Sequence, residues 1–248
     1  MIIIKTKEEI EKMNRAGDIL AACHREIQKL VKPGITTMEI DKFVEKFLKE
    51  QGATPEQKGY EGYPFATCAS VNDEICHGFP RKESLKDGDI VTIDMVVNLD
   101  GWLADSAWSY AVGNISDEAK KLLKVTKESL YKGIEKAVIG NRLGDISHAV
   151  QSHVESQGFS VVRDFVGHGI GRSMHEDPQA PHFGRPGRGL RLVEGMVLTI
   201  EPMVNVGKYY CQIDDNEWTA RTIDGKLSAQ YEHTIAITKD GPIIITEQ

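Results

Sequence analysis

Apolar residues near the start of the chain recur at helical spacing. Ile10, Met13, Ile19, Leu20, Ile27 and Leu30 predict an amphipathic helix over residues 6–31. Pro33-Gly34 stops it, because proline has no amide hydrogen to give the helix ladder. Thr37 then caps a second helix, with Ile40, Phe43, Val44, Phe47 and Leu48 on one face and Gly52 closing it. Beyond Gly52 the pattern shortens into β-rich runs. Strands are expected at 65–71 and 89–98, and at 102–112 after the turn Asp100-Gly101. The same succession then returns. Ser116 caps a helix over 117–138 and a further helix spans 145–157. Strands follow near 160–166, 196–205, 208–213, 217–223 and 230–238.

Two pairs of segments repeat at nearly one offset. Gly88, Thr92, Ile93, Val97 and Asn98 recur 107 positions later as Gly195, Thr199, Ile200, Val204 and Asn205, and Asp94 falls on Glu201. Gly34, Ile40, Val44, Gln51 and Gly52 recur 106 positions later as Gly140, Ile146, Val150, Gln157 and Gly158. Apolar strands carry little information, so the first match alone is open to chance. The second, at helical spacing, points to an internal duplication. In each half helices precede strands, which favours an α+β fold with antiparallel pairing over a doubly wound sheet. One catalytic domain over 1–248 is expected, with halves of roughly 1–113 and 114–248. A pseudo-twofold packing of those halves would bring Asp94 and Glu201 together at its centre.

Composition narrows the function classes. The chain has 248 residues, 40% of them hydrophobic and 27% charged, with a net charge of −7. That length is ample for a buried core, and the acidic balance argues against stable nucleic-acid binding. Only Ile2, Ile3 and Ile4 are apolar before Lys5, too few for a signal peptide, and no run approaches the roughly 18 uncharged residues of a membrane span. A cytoplasmic protein with no membrane partner is expected. Cys23, Cys68, Cys76 and Cys211 form no C-x-x-C pair, so a cysteine zinc site is not indicated.

The candidate chemistry lies in acids embedded in apolar strands. Asp94 follows Val91-Thr92-Ile93, and Asp105 sits eleven positions later on the returning strand. A hairpin can bring them opposite one another on one face, where two carboxylates repel unless a cation lies between them. Asp105 by itself reads equally well as an exposed strand acid. Glu201 after Val197-Leu198-Thr199-Ile200 and Glu232 before His233-Thr234-Ile235 repeat the pattern in the second half. His168 lies in Gly167-His168-Gly169-Ile170-Gly171. A lone loop histidine is more often merely exposed, but His175 and Glu176-Asp177-Pro178 stand close by. Four carboxylates and one imidazole exceed the charge one ion needs. They suit two divalent ions roughly 3.5 Å apart, Mn²⁺, Fe²⁺ or Co²⁺ with Zn²⁺ also accommodated. Such a pair ionises water, which implies hydrolysis of an acyl or phosphoryl bond. No G-x-S-x-G elbow, P-loop or H-E-x-x-H is present. Cys68 and Cys76 beside His77 could be nucleophiles, although small buried core cysteines are the commoner reading.

Taken in order, Val71-Asn72-Asp73-Glu74, Cys76-His77-Gly78, the Asp94/Asp105 pair, Gly167–Arg172 with His175–Pro178, Thr199–Pro202 and Tyr231–His233 resemble the methionine aminopeptidases, and the compact chain resembles their bacterial type I form. The resemblance runs along nearly the whole chain. It implies a pita-bread fold, two pseudo-symmetric halves with a central antiparallel sheet flanked by helices. It also implies roles. Asp94 would bind one metal through both oxygens, and Asp105 and Glu232 would bridge both metals. His168 and Glu201 would complete the other shell, with Glu201 handling the proton of the attacking water. His77 and His175 would hydrogen-bond the scissile peptide and stabilise its oxyanion. Tyr60, Tyr63, Cys68, Met174 and Trp218 would line the methionine pocket with those histidines, although each could equally be core. The activity implied is removal of the N-terminal methionine from nascent polypeptides whose second residue is small. Hydroxide held between the metals would attack the scissile carbonyl, near the ribosome, in a monomer.

Three positions depart from the family pattern. Met174 stands where an aromatic is common, Ser106-Ala107 where Thr-Ser is common, and Gln57 where some members have cysteine. Xaa-Pro aminopeptidases and prolidases share the metal site but usually carry an extra N-terminal domain, for which no room is expected here. A non-enzymatic binding protein on the same fold would be marked by lost ligands, and all five are present.

Overall fold

A computed structural model describes all residues 1–248. Helix α1 spans Lys7–Leu30 and α2 spans Thr37–Glu50. Helix α3 spans Asp117–Ile134 and α4 spans Leu143–Ser156. Reciprocal capping fixes the first of these starts. The Thr6 hydroxyl accepts from Glu9 N at 3.2 Å while Thr6 N donates to the Glu9 carboxylate at 2.8 Å. Thr36, not Thr37, caps α2 in the same way. Thr37 is turned inward, and its hydroxyl accepts from Arg81 N at 2.8 Å. Helix α4 begins two residues before the expected start because Asp145, read as its opening, is the acid that accepts from Arg142 N one turn in.

All strand pairs are antiparallel. In one sheet the hairpin Ile90–Leu99/Trp102–Ala111 is bordered along its outer edge by Thr54–Pro55 and Cys68–Val71. A five-stranded sheet runs in the order Gly241–Ile244, His233–Thr238, Val197–Ile200, Gly167–Gly169, Glu176–Ala180. The two sheets meet where Glu232 N donates to Ala107 O at 2.8 Å. There Thr234 Oγ1 accepts from Asp105 N at 3.0 Å and donates to Asp105 O at 2.8 Å. Helix α1 lies across the first hairpin, with Met13, Leu20 and Ile27 fully buried against Val91, Ile93 and Met95. Burying such a side chain contributes about 1.5–3 kcal/mol each, enough to fix the helix on the sheet.

The repeated segments make matching hydrogen bonds. Gly34 N donates to Leu85 O, and Gly140 N to Leu192 O. Thr36 bridges Ser84, and Arg142 bridges Arg191. Thr54 pairs with Asn98, and Ser160 with Asn205. Gly34 and Gly140 both take the left-handed conformation, φ 98° and 95°.

Several strands are shorter than the apolar runs suggest. The run 196–205 breaks at Glu201-Pro202 into Val197–Ile200 and Met203–Asn205, because Pro202 has no amide for a ladder. The run 230–238 splits likewise, Ser228–Gln230 joining one sheet and His233–Thr238 another. Of the runs expected at 65–71, 160–166, 208–213 and 217–223, only Cys68–Val71, Ser160–Val161, Cys211–Ile213 and Ala220–Thr222 are paired. Glu74–Cys76, Gly167–Gly169, Glu176–Ala180 and Gly241–Ile244 are strands that periodicity did not predict. Helix α3 ends at Ile134, four residues before the expected stop.

Candidate metal centre and active site

The first hairpin supplies two carboxylates. Its register sets Asp94 against Ala107 and Asp105 against Val96. The acids are therefore diagonal neighbours on one face and not direct cross-strand partners, yet close enough that, after burial, the Asp94 charge raises the Asp105 carboxyl. Glu201 stands where Pro202 ends the ladder, and Glu232 where the chain passes from one sheet to the other.

His168 comes from Gly167–Gly169, a strand squeezed between two others. A Cβ at Gly169 would lie 2.2 Å from Asp177 O, so glycine is required by that close approach. His168 Nδ1 sits 2.9 Å from Gly169 O. A carbonyl only accepts, so Nδ1 carries the proton and Nε2 presents a lone pair. That Nε2 lies 3.6 Å from Asp105 Oδ2 and 3.7 Å from Glu201 Oε1.

Asp105, His168 and Glu232 each offer a ligand atom within 4.8 Å of one another. Asp94 adjoins this cluster through Asp105, and Glu201 through His168; neither falls within the same mutual spacing. Asp105 Oδ1 and Glu232 Oε1 are buried and have no hydrogen-bond partner. An unsatisfied buried oxygen costs about 1–3 kcal/mol, more when charged, and a divalent cation removes that cost. The donor set fits a metal on these grounds.

The electrostatics agree. Burial pushes Asp94 up to about 7. Burial and the Asp94 charge push Glu201 up to about 8, against the pull of the Thr199 hydrogen bond. Asp105 and Glu232 rise well above the usual carboxylate range, first from burial and then from neighbouring acids. Such crowding of acids persists in a fold only where a cation or a proton resolves it.

All twelve residues expected at the site border one cavity of about 530 Å³. His175 Nδ1 is 2.9 Å from the Tyr60 hydroxyl, and its ring centre is 4.4 Å from that of His168. His77 has a left-handed backbone, φ 57°, a strained state for a non-glycine residue. Its ring meets Phe165 edge-on at 5.3 Å and Trp218 at 6.3 Å. Burial lowers His77 to about 4, and lowers His175 as well, so both imidazoles are neutral at neutral pH. Trp218 packs edge-on to Tyr63 at 5.0 Å, and the Tyr63 hydroxyl is spent on Thr67 O and Gly78 O. Cys68 and Cys76 are buried, and burial raises both thiols far above neutrality, which disfavours a thiolate nucleophile.

Four contributors escaped sequence reasoning. Thr199 Oγ1 donates to Glu201 Oε1 at 2.8 Å and accepts from His168 N at 3.0 Å, tying two candidate ligands together. Its recurrence with Thr92 was the available signal. Gln230 Nε2 reaches Glu201 Oε2 at 3.3 Å, and His182 Nε2 accepts from Glu201 N at 2.9 Å. Phe165 closes the cavity beside His77. Nothing in local spacing marks these three.

A cleft of crowded acids and imidazoles suits metal-dependent hydrolysis. The chain belongs to metallopeptidase family M24, whose model matches residues 11–239. It is 56% identical over 246 residues to a methionine aminopeptidase of Clostridium perfringens, covering 99% of both chains. It is 55% identical over 246 residues to methionine aminopeptidase 1 of Bacillus subtilis, again covering 99% of each. The crystal structure of methionine aminopeptidase from Rickettsia prowazekii superposes with a TM-score of 0.98 at 44% identity, over 100% of both chains. The fold is therefore the pita-bread α+β fold expected from the sequence. A prolidase from Pyrococcus horikoshii shares that fold at a TM-score of 0.81 and 24% identity, with 64% of its own length covered. No helix is long and apolar enough to cross a membrane.

Proposed function

We propose that this protein hydrolyses the peptide bond after an N-terminal methionine, on polypeptides whose second residue is small. One observation carries the reading: the unpartnered oxygens of Asp105 and Glu232 lie beside the free lone pair of His168, in a cavity walled by Tyr60, Tyr63, Cys68, Met174 and Trp218. The acidic cluster suits metal-assisted hydrolysis, and the apolar wall suits a thioether selected by shape and dispersion contact. Relatives named methionine aminopeptidase at 55% and 56% identity support the same reading.

Asp94, Asp105, His168, Glu201 and Glu232 would hold two divalent ions, with Mn, Fe or Co suited to this oxygen-rich set and Zn also accommodated. Bound there, the ions supply Lewis acidity that lets water lose a proton at neutral pH. The chain's own groups do the rest. Glu201, oriented by the Thr199 hydroxyl and the Gln230 amide, would take the proton of the attacking water and return it to the leaving amine. The Tyr60 hydroxyl can donate to His175 Nδ1, which leaves the His175 proton on Nε2, free to hydrogen-bond the scissile carbonyl. His77 borders the same cavity, its ring held between Phe165 and Trp218. Residues 1–248 act as one catalytic domain, and halves of roughly 1–113 and 114–248 close the site between them. The protein acts in the cytoplasm as a monomer, on the N-termini of nascent polypeptides near the ribosome.

Metal-loaded protein is expected to release methionine from Met-Ala-Ser and to leave Xaa-Pro peptides intact. Cleavage of the Xaa-Pro peptide alone would replace this reading with a prolidase-type activity, and cleavage of neither under any of the four metals would replace it with a binding role.

A further inference from the structure

We propose that Lys5 is a positioning residue for His175, acting through a buried ion pair with Glu176. The inference deepens the reading above, since it rests on the role given there to His175.

Lys5 precedes the cap of α1 and is far from the cavity in sequence, yet its side chain is only 3% exposed and that of Glu176 5%. Lysine is almost never buried unless paired. The ammonium has two partners, the Glu176 carboxylate and Ile3 O at 3.0 Å. The Lys5 backbone is fixed independently, its amide donating to Gly195 O at 2.8 Å. The lysine backbone is therefore tied, through Gly195, to the strand that holds Ile237, independently of Glu176.

Glu176 divides its carboxylate. One oxygen takes Lys5, and the other accepts from Arg172 N at 3.1 Å and Ser173 N at 3.4 Å. The segment 171–176 is thereby folded around a single carboxylate. It carries Met174, which is buried in the cavity wall, and His175, which faces Tyr60 and His168. The last glycine of Gly167–Gly171 follows from the same arrangement. A Cβ at Gly171 would lie 2.6 Å from Lys5 Cε and 2.8 Å from Glu176 Oε1. The motif is glycine there because the ion pair passes over it.

The His175 imidazole is itself exposed to the cavity, and its one side-chain hydrogen bond is to Tyr60. Its place depends on the backbone that Glu176 anchors. A shift of a fraction of an ångström in a transition-state donor loses much of its effect.

The test is a double-mutant cycle on the full-length, metal-loaded enzyme, using Met-Ala-Ser. Lys5→Met is expected to lower kcat roughly ten- to a hundredfold while KM stays near the wild-type value. In a His175→Ala background Lys5→Met is expected to have no further effect on kcat, because the group it positions is gone. Lys5→Arg, which keeps the charge, is expected to recover part of the loss. Equal fractional losses in both backgrounds, or wild-type kcat in a folded Lys5→Met protein, would overturn the proposal. Glu176→Gln serves the same cycle should Lys5→Met fail to fold; its amide oxygen still accepts from Arg172 N and Ser173 N while the ion pair is lost. If the wild-type enzyme leaves the peptide intact, the functional reading fails, and imidazole NMR decides this one. Lys5→Met must then shift the His175 resonances and leave those of His24 in place; unmoved His175 signals would refute it.

Discussion

The two halves share a framework and differ in what they place on it. Glycines 34 and 140 take the same left-handed turn, and each of α2 and α4 has fourteen residues and starts from an isolated bridge to a residue some fifty positions on, Ser84 or Arg191. The short strands Thr54–Pro55 and Ser160–Val161 pair with matching asparagines, Asn98 and Asn205. At the centre the likeness ends. The first half offers Asp94 and Asp105 from a hairpin of two unbroken ten-residue strands. The second offers Glu201 from a strand cut short by Pro202, Glu232 from a crossing point, and His168 from a strand that lies along Val197–Ile200 as Cys68–Val71, which carries no histidine, lies along Ile90–Leu99. Repetition supplies a stiff frame, and divergence at the frame's ends supplies the ligands. Loops and strand ends tolerate such change because fewer ladder bonds depend on them.

The largest effect should come from breaking the centre itself. Asp105→Asn keeps the shape of the side chain and removes one charge from the cluster. Activity is expected to fall by about three orders of magnitude, the scale of losing a group that acts only on the transition state. Stability without metal should move the other way, since Asp105 is a buried acid with an unpartnered oxygen. A higher Tm for the chelated variant than for the chelated wild type would separate function from folding. Wild-type activity in the variant would refute a ligand role for Asp105.

A second test compares metal-loaded and chelated protein across pH. In the chelated fold Asp94 and Glu201 are raised to about 7 and about 8, against 3.8 and 4.5 in the unfolded chain. The native state then binds protons more tightly than the unfolded one. The contribution of these two groups to stability is full below pH 4 and is lost as pH rises through 7 to 8. Metal binding requires the same groups ionised and strengthens over that range. The gap in Tm between loaded and chelated protein should therefore widen from pH 5 to pH 8. Buried His24 and His233, lowered to about 4 and about 3, favour the neutral form and weaken both states as pH falls below 6.5, so they cancel in the difference. A gap that is constant with pH would show that these carboxylates are not the ones the metal relieves.

Much of this centre was legible in the sequence, for a physical reason. A carboxylate inside a β-branched run such as Val197–Ile200 is costly unless something pays for its burial, so Asp94, Glu201 and Glu232 stand out as anomalies. The repeat was legible because turn glycines such as Gly34 and Gly140 have few substitutes. Less was legible where structure depends on long-range pairing. Glu176–Ala180 contains Pro178 and two acids and has no alternation, yet it is a strand, because an edge of the sheet is open to it. His182 and Gln230 reach Glu201 from nineteen and twenty-nine residues away, and no local pattern encodes that approach. Thr36 rather than Thr37 caps α2 because Thr37 is engaged by Arg81, forty-four residues on.

The smallest and sharpest test uses a pair of residues that are identical in the two halves but stand in different surroundings. Thr92 and Thr199 occupy matched positions, and both are buried. The Thr92 hydroxyl pairs with that of Ser109 at 2.7 Å, a neutral contact within the first hairpin. The Thr199 hydroxyl joins Glu201 to the backbone of His168. Valine in either place removes one such hydroxyl and should cost about 1 kcal/mol of stability, the ordinary worth of a buried hydrogen bond. Only Thr199→Val should also cost activity, roughly tenfold or more, because a partner that orients a ligand tunes metal affinity and rate. Denaturant midpoints and kcat/KM measured on the two variants side by side give the answer. Equal activities would mean that the frame alone, and not the hydroxyl, holds Glu201 and His168 in place.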